Sequence, residues 1–317
     1  MAEQNLLPPS SLLHPRPLLL AGPTAVGKSE VALRLAEKLD GEIISVDSML
    51  VYRGMDIGTA KPSSADRARV PHHLIDVVDI TEPFDAAKFI ELAGNAEREI
   101  QSRGRTPIFC GGTGLYFKAY LEGLGKAPAS DAKLRAELEA TPLNSLLAEL
   151  AMRDPVTFEK IDRQNPRRIV RAVEVIRITG APFSAQRARW GVEAEGAKSQ
   201  PVVFVGLART AEDLKARIEV RVDRMFAAGI VAETQRLLER GLATNRTAMQ
   251  ALGYRQAAEH LQGSLSLAET VELVKARTRQ FAKRQLTWFR RQARLEWIEV
   301  LPKESVDEIA GKILALH

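Results

Sequence analysis

Gly22-Pro23-Thr24-Ala25-Val26-Gly27-Lys28-Ser29 is the stretch whose reading decides the fold. It follows an apolar run, Pro17 to Ala21, and precedes a segment with Val31, Leu35 and Leu39 at helical spacing that ends before Gly41. The octet fits G-x-x-x-x-G-K-(S/T) in full, and strand, glycine turn and helix are the setting in which that spacing cradles phosphate. Glycines let backbone N–H groups converge on phosphate oxygens, and the helix N-terminus adds the positive end of its dipole. Lys28 is placed to reach a terminal phosphate, and Ser29 to ligate Mg²⁺. The motif does not distinguish a nucleoside triphosphate from a diphosphate.

Outward from the loop, short apolar runs end repeatedly in polar or glycine-rich turns. Glu42 to Val46 stops at Asp47, and Thr106 to Cys110 stops at Gly111-Gly-Thr-Gly114; Val202 to Gly206 is one more core strand. Strands alternating with helices in this way predict an α/β fold, a P-loop NTPase-like parallel sheet flanked by helices, with ligands at the carboxyl ends of the strands. Between Pro128 and Gln200 the pattern turns to helical periodicity without strands, as in Ala132 to Glu139, Leu143 to Met152 and Arg167 to Thr179. Residues 128–200 therefore read as an inserted all-helical lobe, and 1–127 with 201–317 as the core. Leu214 to Arg240 reads as one amphipathic helix closed by Gly241, and Ala268 to about Trp288 as a long basic helix.

The 317 residues are enough to bury a sizeable core. A single cysteine, Cys110, excludes a disulfide framework or a Cys-rich zinc ribbon and fits a reducing, cytoplasmic setting. Met1 to Pro17 lacks a basic leader region and is interrupted by Pro8, Pro9 and Pro15, so neither signal peptide nor anchor is expected. No apolar run approaches the roughly 18 residues needed to span a bilayer. The net charge of +5 is distributed unevenly. Lys160 to Arg189 and Lys275 to Arg294 are strongly basic, with Trp190 and Trp288 nearby, which suits contact with a nucleic-acid backbone and stacking on its bases, or simply a solvated helix face. His72 and His73 lack Cys or carboxylate partners at ligand spacing and read as structural; Cys110 reads as a core residue.

Several further blocks carry a family resemblance. Besides the octet they are Ile44 to Ser48, Tyr52 to Pro62, Pro71 to Asp76, Gly111 to Tyr116, Asn165 to Arg168 and Gln250 to Arg255. In this order they resemble the motif series of the bacterial-type tRNA dimethylallyltransferases, and they span most of the chain. Val26 stands where the family often has Ser, and the zinc finger of the eukaryotic members is absent. The resemblance implies a monomeric enzyme whose partners are dimethylallyl diphosphate, Mg²⁺ and a tRNA anticodon stem-loop. It implies transfer of the prenyl group to the N6 amine of the adenosine immediately 3′ of the anticodon.

The same resemblance assigns site roles. Asp47 takes the base and adenine-contact role, with an N-cap or Mg²⁺ ligand as the alternative. Thr113 contacts the bridging oxygen and the reacting centre, or else caps the next helix. Of Arg217 and Arg221, four apart on one helix face, one or both reach the diphosphate, or either forms a surface salt bridge. Matches to the tRNA interface are Asp47, Ser48, Met49, Leu50, Thr113 and Arg135, the turn Gln164, Asn165, Pro166, Arg167 and Arg168, and Gln250, Ala251, Leu252, Gly253, Tyr254 and Arg255. Three rivals share parts of the pattern: a small-molecule or nucleoside kinase, which leaves the basic stretches unexplained; an adenylate dimethylallyltransferase, against which the helical insertion and its arginines argue; and a nonenzymatic RNA-binding protein with a relic loop, against which the intact Lys28, Ser29, Asp47 and Thr113 argue.

Overall fold

A computed structural model of the chain describes residues 15–125, 127–186 and 202–317. The core opens with β1 (Leu18–Ala21), α1 (Lys28–Lys38), β2 (Gly41–Val46), α2 (Ser64–Arg69), β3 (His72–His73), α3 (Ala86–Ser102), β4 (Thr106–Gly111) and α4 (Gly114–Glu122). The helical region holds α5 (Ala132–Ala140), α6 (Leu143–Arg153), α7 (Pro155–Lys160), α8 (Pro166–Thr179) and α9 (Phe183–Gln186). The chain then adds β5 (Val203–Ala208), α10 (Ala211–Ala227), α11 (Ile230–Glu239), α12 (Tyr254–Leu261), α13 (Leu267–Gln292), β6 (Glu296–Glu299) and α14 (Val306–Leu314).

The six strands form one sheet in the order β3-β2-β4-β1-β5-β6, and every neighbouring pair is parallel. Parallel pairing requires crossovers, which the intervening helices supply. All four residues of β1 are fully buried, as a central strand covered on both faces must be. Side chains alternate between the faces. Leu18 and Leu20 join Val31 and Leu35 of α1, Leu214, Ile218 and Val222 of α10, and Ile309 and Ile313 of α14 in one apolar cluster. Elsewhere in this unit aromatic rings pack together: Phe89 stacks on Tyr116 at 4.5 Å, and Phe117 meets Phe204 and Phe289 at 5.2 and 5.9 Å. Each fully buried side chain of this size contributes about 1.5–3 kcal/mol.

Register brings the functional edge together. Ala21 pairs with Gly111, and Gly111 with Val46, so the first residues beyond the edge are Gly22, Gly112 and Asp47. Only glycine fits at 111, because a Cβ there would lie 2.0 Å from the Val46 carbonyl oxygen.

Residues Ala119–Ser199 form a second compact unit, so it begins nine residues before the expected boundary at 128, within α4. Leu138, Leu146, Leu150, Ile169, Val173 and Ile176 make its core. The short helix α7 escapes sequence periodicity and depends on a local device. Asp154 is 1 % exposed, caps α7 through the Thr157 N–H at 3.0 Å, and also accepts from the Thr157 and Ser184 hydroxyls. Burial would raise its carboxyl pKa, yet these hydrogen bonds hold it below the usual range.

The expected single helix over Leu214 to Arg240 is interrupted. The segment is two helices, because Gly229 adopts φ 94° and ends α10 before α11 begins. Among the described residues no helix is long and apolar enough to cross a membrane.

The close approach at Gly111 yields a test. Gly111→Ala forces β2 and β4 apart at the functional edge and should cost about 1–3 kcal/mol, as overpacking generally does. A denaturant midpoint within error of wild type would contradict the contact.

Candidate active site

The phosphate loop is shaped by backbone conformations that favour glycine. Gly22 (φ 150°) and Gly27 (φ 106°) turn the chain, and Ala25 accepts φ 64° between them. α1 then starts at Lys28, with Ser29 exposed in its first turn. Lys28 Nζ donates to the Pro23 carbonyl at 2.7 Å, folding the side chain back over the loop. Burial lowers its pKa to about 8, the Asp47 charge partly countering and the Arg221 charge adding to the effect. Two arginines hold the loop from β5 and α10. Arg209 Nε donates to the Val26 carbonyl at 2.9 Å and Arg217 Nε to the Ala25 carbonyl at 2.8 Å. Arg217 is therefore a loop contact and makes no surface salt bridge among the described residues; the Arg209 guanidinium is itself fixed by Asp213 at 2.7 Å.

Asp47 stands at the end of β2. Its Oδ1 accepts from the Met49 N–H at 2.8 Å and the Leu50 N–H at 3.4 Å, so it caps the turn through Ser48, Met49 and Leu50. Its other oxygen makes no hydrogen bond to the described residues. Thr113, in the turn after β4, donates its N–H to the Val46 carbonyl at 3.2 Å, and its own carbonyl accepts from Tyr116 and Phe117 at the start of α4. It caps α4 through the backbone, while its hydroxyl makes no hydrogen bond to the described residues. Arg221 reaches the Thr59 carbonyl at 3.3 Å, and burial lowers its pKa against the opposing pull of Asp47. Lys28, Asp47 and Arg221 thus share one electrostatic environment at the sheet edge.

A loop from Tyr52 to Lys61 walls this region and is held by buried groups. Glu233, 5 % exposed on α11, accepts from the backbone N–H groups of Asp56 and Ile57 at 3.2 and 3.0 Å and from the Tyr254 hydroxyl at 2.6 Å. The Tyr254 oxygen in turn accepts from Gly58 N–H at 3.1 Å. Lys61 Nζ donates to the Tyr52 carbonyl at 2.9 Å and pairs with Asp56 and Asp76. Tyr254 is fully buried, so its side chain fastens this loop and has no surface to offer an RNA. Ala251 and Gly253 are buried too, Leu252 is half-buried, and Gln250 and Arg255 are exposed.

In the helical unit, Gln164, Pro166, Arg167 and Arg168 are exposed, and the Asn165 side chain caps α8 through the Arg168 N–H at 3.4 Å. Arg135 binds Glu174, a fully buried carboxylate that also holds Arg171 at 2.7 Å and the Ser130 hydroxyl at 2.5 Å. The basic stretches are partly committed to such pairs: Arg177 binds Glu149 and Glu137, Lys275 binds Asp223, and Arg279 binds Glu219. On α13, Lys283, Arg284 and Arg291 remain exposed and, with Trp288 and its neighbours, line an open cavity of about 470 Å³. Trp190 lies outside the described residues. His73 bonds Glu42 at 2.7 Å in a cluster with Arg103 and Arg105, and His72 bonds the Val70 carbonyl, which makes both structural. Burial raises the Cys110 thiol to about 11, consistent with an inert side chain.

Two residues at the site carry no sequence motif. Arg209 is the first polar residue beyond β5, a position that alone could have pointed to it. Gln285, on α13, accepts from the Thr24 N–H at 2.9 Å and donates to the Gly112 carbonyl at 3.0 Å, joining the phosphate loop to the Thr113 turn. The alternating basic pattern around it gave no signal.

Comparison with known proteins agrees with this geometry. Residues 50–292 match the family model "IPP transferase". The chain is 47 % identical over 290 residues to tRNA dimethylallyltransferase 1 of Trichlorobacter lovleyi, covering 90 % of this chain and 94 % of that one. It is 46 % identical over 308 residues to the tRNA dimethylallyltransferase of Desulforudis audaxviator, covering 94 % and 98 %. Among solved structures, the tRNA isopentenylpyrophosphate transferase of Bacillus halodurans superposes with a TM-score of 0.67 at 38 % identity, covering 95 % of this chain and 96 % of that one. A eukaryotic dimethylallyltransferase acting on tRNA gives 0.74 at 28 % identity, covering 90 % and 74 %. A phosphate loop, a strand-end carboxylate and a threonine turn at one sheet edge, in a chain matched along most of its length, place this protein in the IPP transferase family.

Proposed function

We propose that this protein transfers a dimethylallyl group from dimethylallyl diphosphate to the N6 amine of the adenosine immediately 3′ of the anticodon in tRNA, releasing diphosphate. The observation that carries this reading is the convergence of Lys28, Asp47, Thr113 and Arg221 at the carboxyl edge of a sheet in an IPP transferase chain. The amine lone pair attacks the first prenyl carbon, the carbon–oxygen bond breaks, and its electrons leave with diphosphate. An exocyclic adenine amine is a weak nucleophile, so a base that takes its proton helps. The Asp47 oxygen that makes no hydrogen bond to the described residues serves as that acceptor, while the turn the carboxylate caps fixes its direction.

Charge gathers on the departing oxygens, and donors already aimed there stabilise it. Lys28, the loop N–H groups and Arg221 supply positive charge, and the Thr113 hydroxyl, which makes no hydrogen bond to the described residues, is the donor for the bridging oxygen. The exposed Ser29 hydroxyl fits Mg²⁺, which is commonly held by one or two protein oxygens together with substrate phosphates; when bound, the ion would neutralise diphosphate charge. On the RNA side, the reacting base must leave its stack to reach an enclosed amine acceptor. In the helical unit exposed Arg167 and Arg168 offer backbone contacts; in the core unit Lys283, Arg284 and Arg291 beside Trp288 offer backbone contact and an aromatic surface.

Incubation with labelled dimethylallyl diphosphate should place label in tRNA and none in AMP. Lys28→Ala should reduce transfer by about 100-fold or more while tRNA affinity changes little, since the loop addresses diphosphate. Label in AMP, or near wild-type turnover of the variant, would contradict the assignment.

The depressed Lys28 pKa gives a pH signature. In the free protein Lys28 loses its proton as pH rises through about 8, whereas bound diphosphate favours the protonated form. Donor affinity should therefore fall as pH rises through this range, and binding at pH 8 should take up about half a proton. Calorimetry in buffers of different ionisation enthalpy measures that uptake. Its persistence in Lys28→Ala would place the titrating group elsewhere.

A further inference from the structure

We propose that Gln285 is a positioning residue for prenyl transfer, its side-chain amide setting the spacing between the phosphate loop and the turn that carries Thr113. The inference rests on the reading of the crevice as the diphosphate site. Gln285 is 8 % exposed in the C-terminal third of the 26-residue helix α13, and each end of its amide has one partner among the described residues. Oε1 accepts from Thr24 N–H, two residues past the first glycine of the loop, and Nε2 donates to the carbonyl of Gly112, the residue before Thr113. The three elements are in close contact: a Cβ on Gly112 would lie 2.3 Å from Gln285 Nε2 and 3.4 Å from the Gly22 carbonyl oxygen.

The leaving diphosphate is held by the loop and the bridging oxygen meets Thr113, so the reaction needs these two segments at a fixed separation. The sheet fixes their roots through the pairing of Ala21 with Gly111. Beyond the sheet edge ladder pairing ends, and the Gln285 amide is a direct tie between the two loops. Its chemistry is specific. A carboxylate could still accept from Thr24, but it could not donate to Gly112, and its negative charge would face that carbonyl and the incoming diphosphate. A methionine would fill similar space with neither hydrogen bond. Misplacement by about an ångström is enough to cost on the order of 100-fold in rate.

The test uses full-length Gln285→Met and Gln285→Glu, single-turnover transfer of labelled dimethylallyl to tRNA, and separate titrations of donor and tRNA. The Met variant should lose about 10- to 100-fold in rate while both dissociation constants stay within about threefold. The Glu variant should recover, relative to wild type, as pH falls and its buried carboxyl takes up a proton that can be donated to Gly112. Thr113→Ala should cost less in the Met background than in wild type, because residues acting as one unit are not additive. A rate within twofold of wild type overturns the proposal. So do a loss that follows weakened donor or tRNA binding, and multiplicative effects of the Thr113 and Gln285 changes. Wild-type protein that transfers no label overturns the crevice reading, and this proposal with it; an active wild type with an unaffected variant overturns the role of Gln285 alone.

Discussion

The approach of β4 to β2 at Gly111, where a missing side chain lets backbone meet backbone, sets the geometry on which the site depends. Pairing of Ala21, Gly111 and Val46 in one row means that three separate turns begin side by side. Each then uses a local device to direct its functional group. Glycine torsions curl the phosphate loop, a carboxylate oxygen caps the turn after Asp47, and the Thr113 carbonyl starts a helix. The chemistry is thus placed by the ends of three largely buried strands.

Electrostatics complete what the backbone begins. Lys28 and Arg221 are both held below their ordinary pKa by burial, so the crevice keeps two cations where water cannot fully solvate them. An anion entering that space would relieve the penalty, as the proposed binding of diphosphate requires. Arg209 and Arg217 play a different part, since their guanidinium groups bind loop carbonyls and brace the loop backbone. In the helical unit Glu174 gathers Arg135, Arg171 and Ser130 around one fully buried carboxylate, so Arg135 is oriented by an internal partner.

What could be read from sequence was local. The octet, the strand ends and the glycine turn around Thr113 declare themselves within a few residues, and the sheet follows from their alternation. Partners distant in the chain did not: Gln285 meets Thr24 across 261 positions, Arg209 meets Val26 across 183, and Glu233 meets Asp56 across 177. Nothing in a glutamine or a glutamate on an amphipathic helix marks it as a tie between loops. Family resemblance singled out Tyr254 without revealing its burial, because the same motif position can matter by touching RNA or by holding a loop. Gly229 hid inside a helical pattern because periodicity continues across it, although the chain bends there. The edge strand β6, Glu296–Glu299, is four residues long and half exposed, too short for alternation to be distinctive.

The central claim is that Asp47 accepts the amine proton, since a metal-holding carboxylate at this place would make the crevice that of a phosphate-transferring enzyme. Single-turnover transfer by Asp47→Asn, followed across Mg²⁺ concentrations alongside calorimetric donor binding, separates the two roles. Asparagine keeps the shape and can still cap the turn, but it cannot take a proton. The account predicts a rate lower by about 10²- to 10⁴-fold, donor affinity nearly unchanged, and no recovery with added Mg²⁺. Weakened donor binding with a rate restored by Mg²⁺ would contradict it.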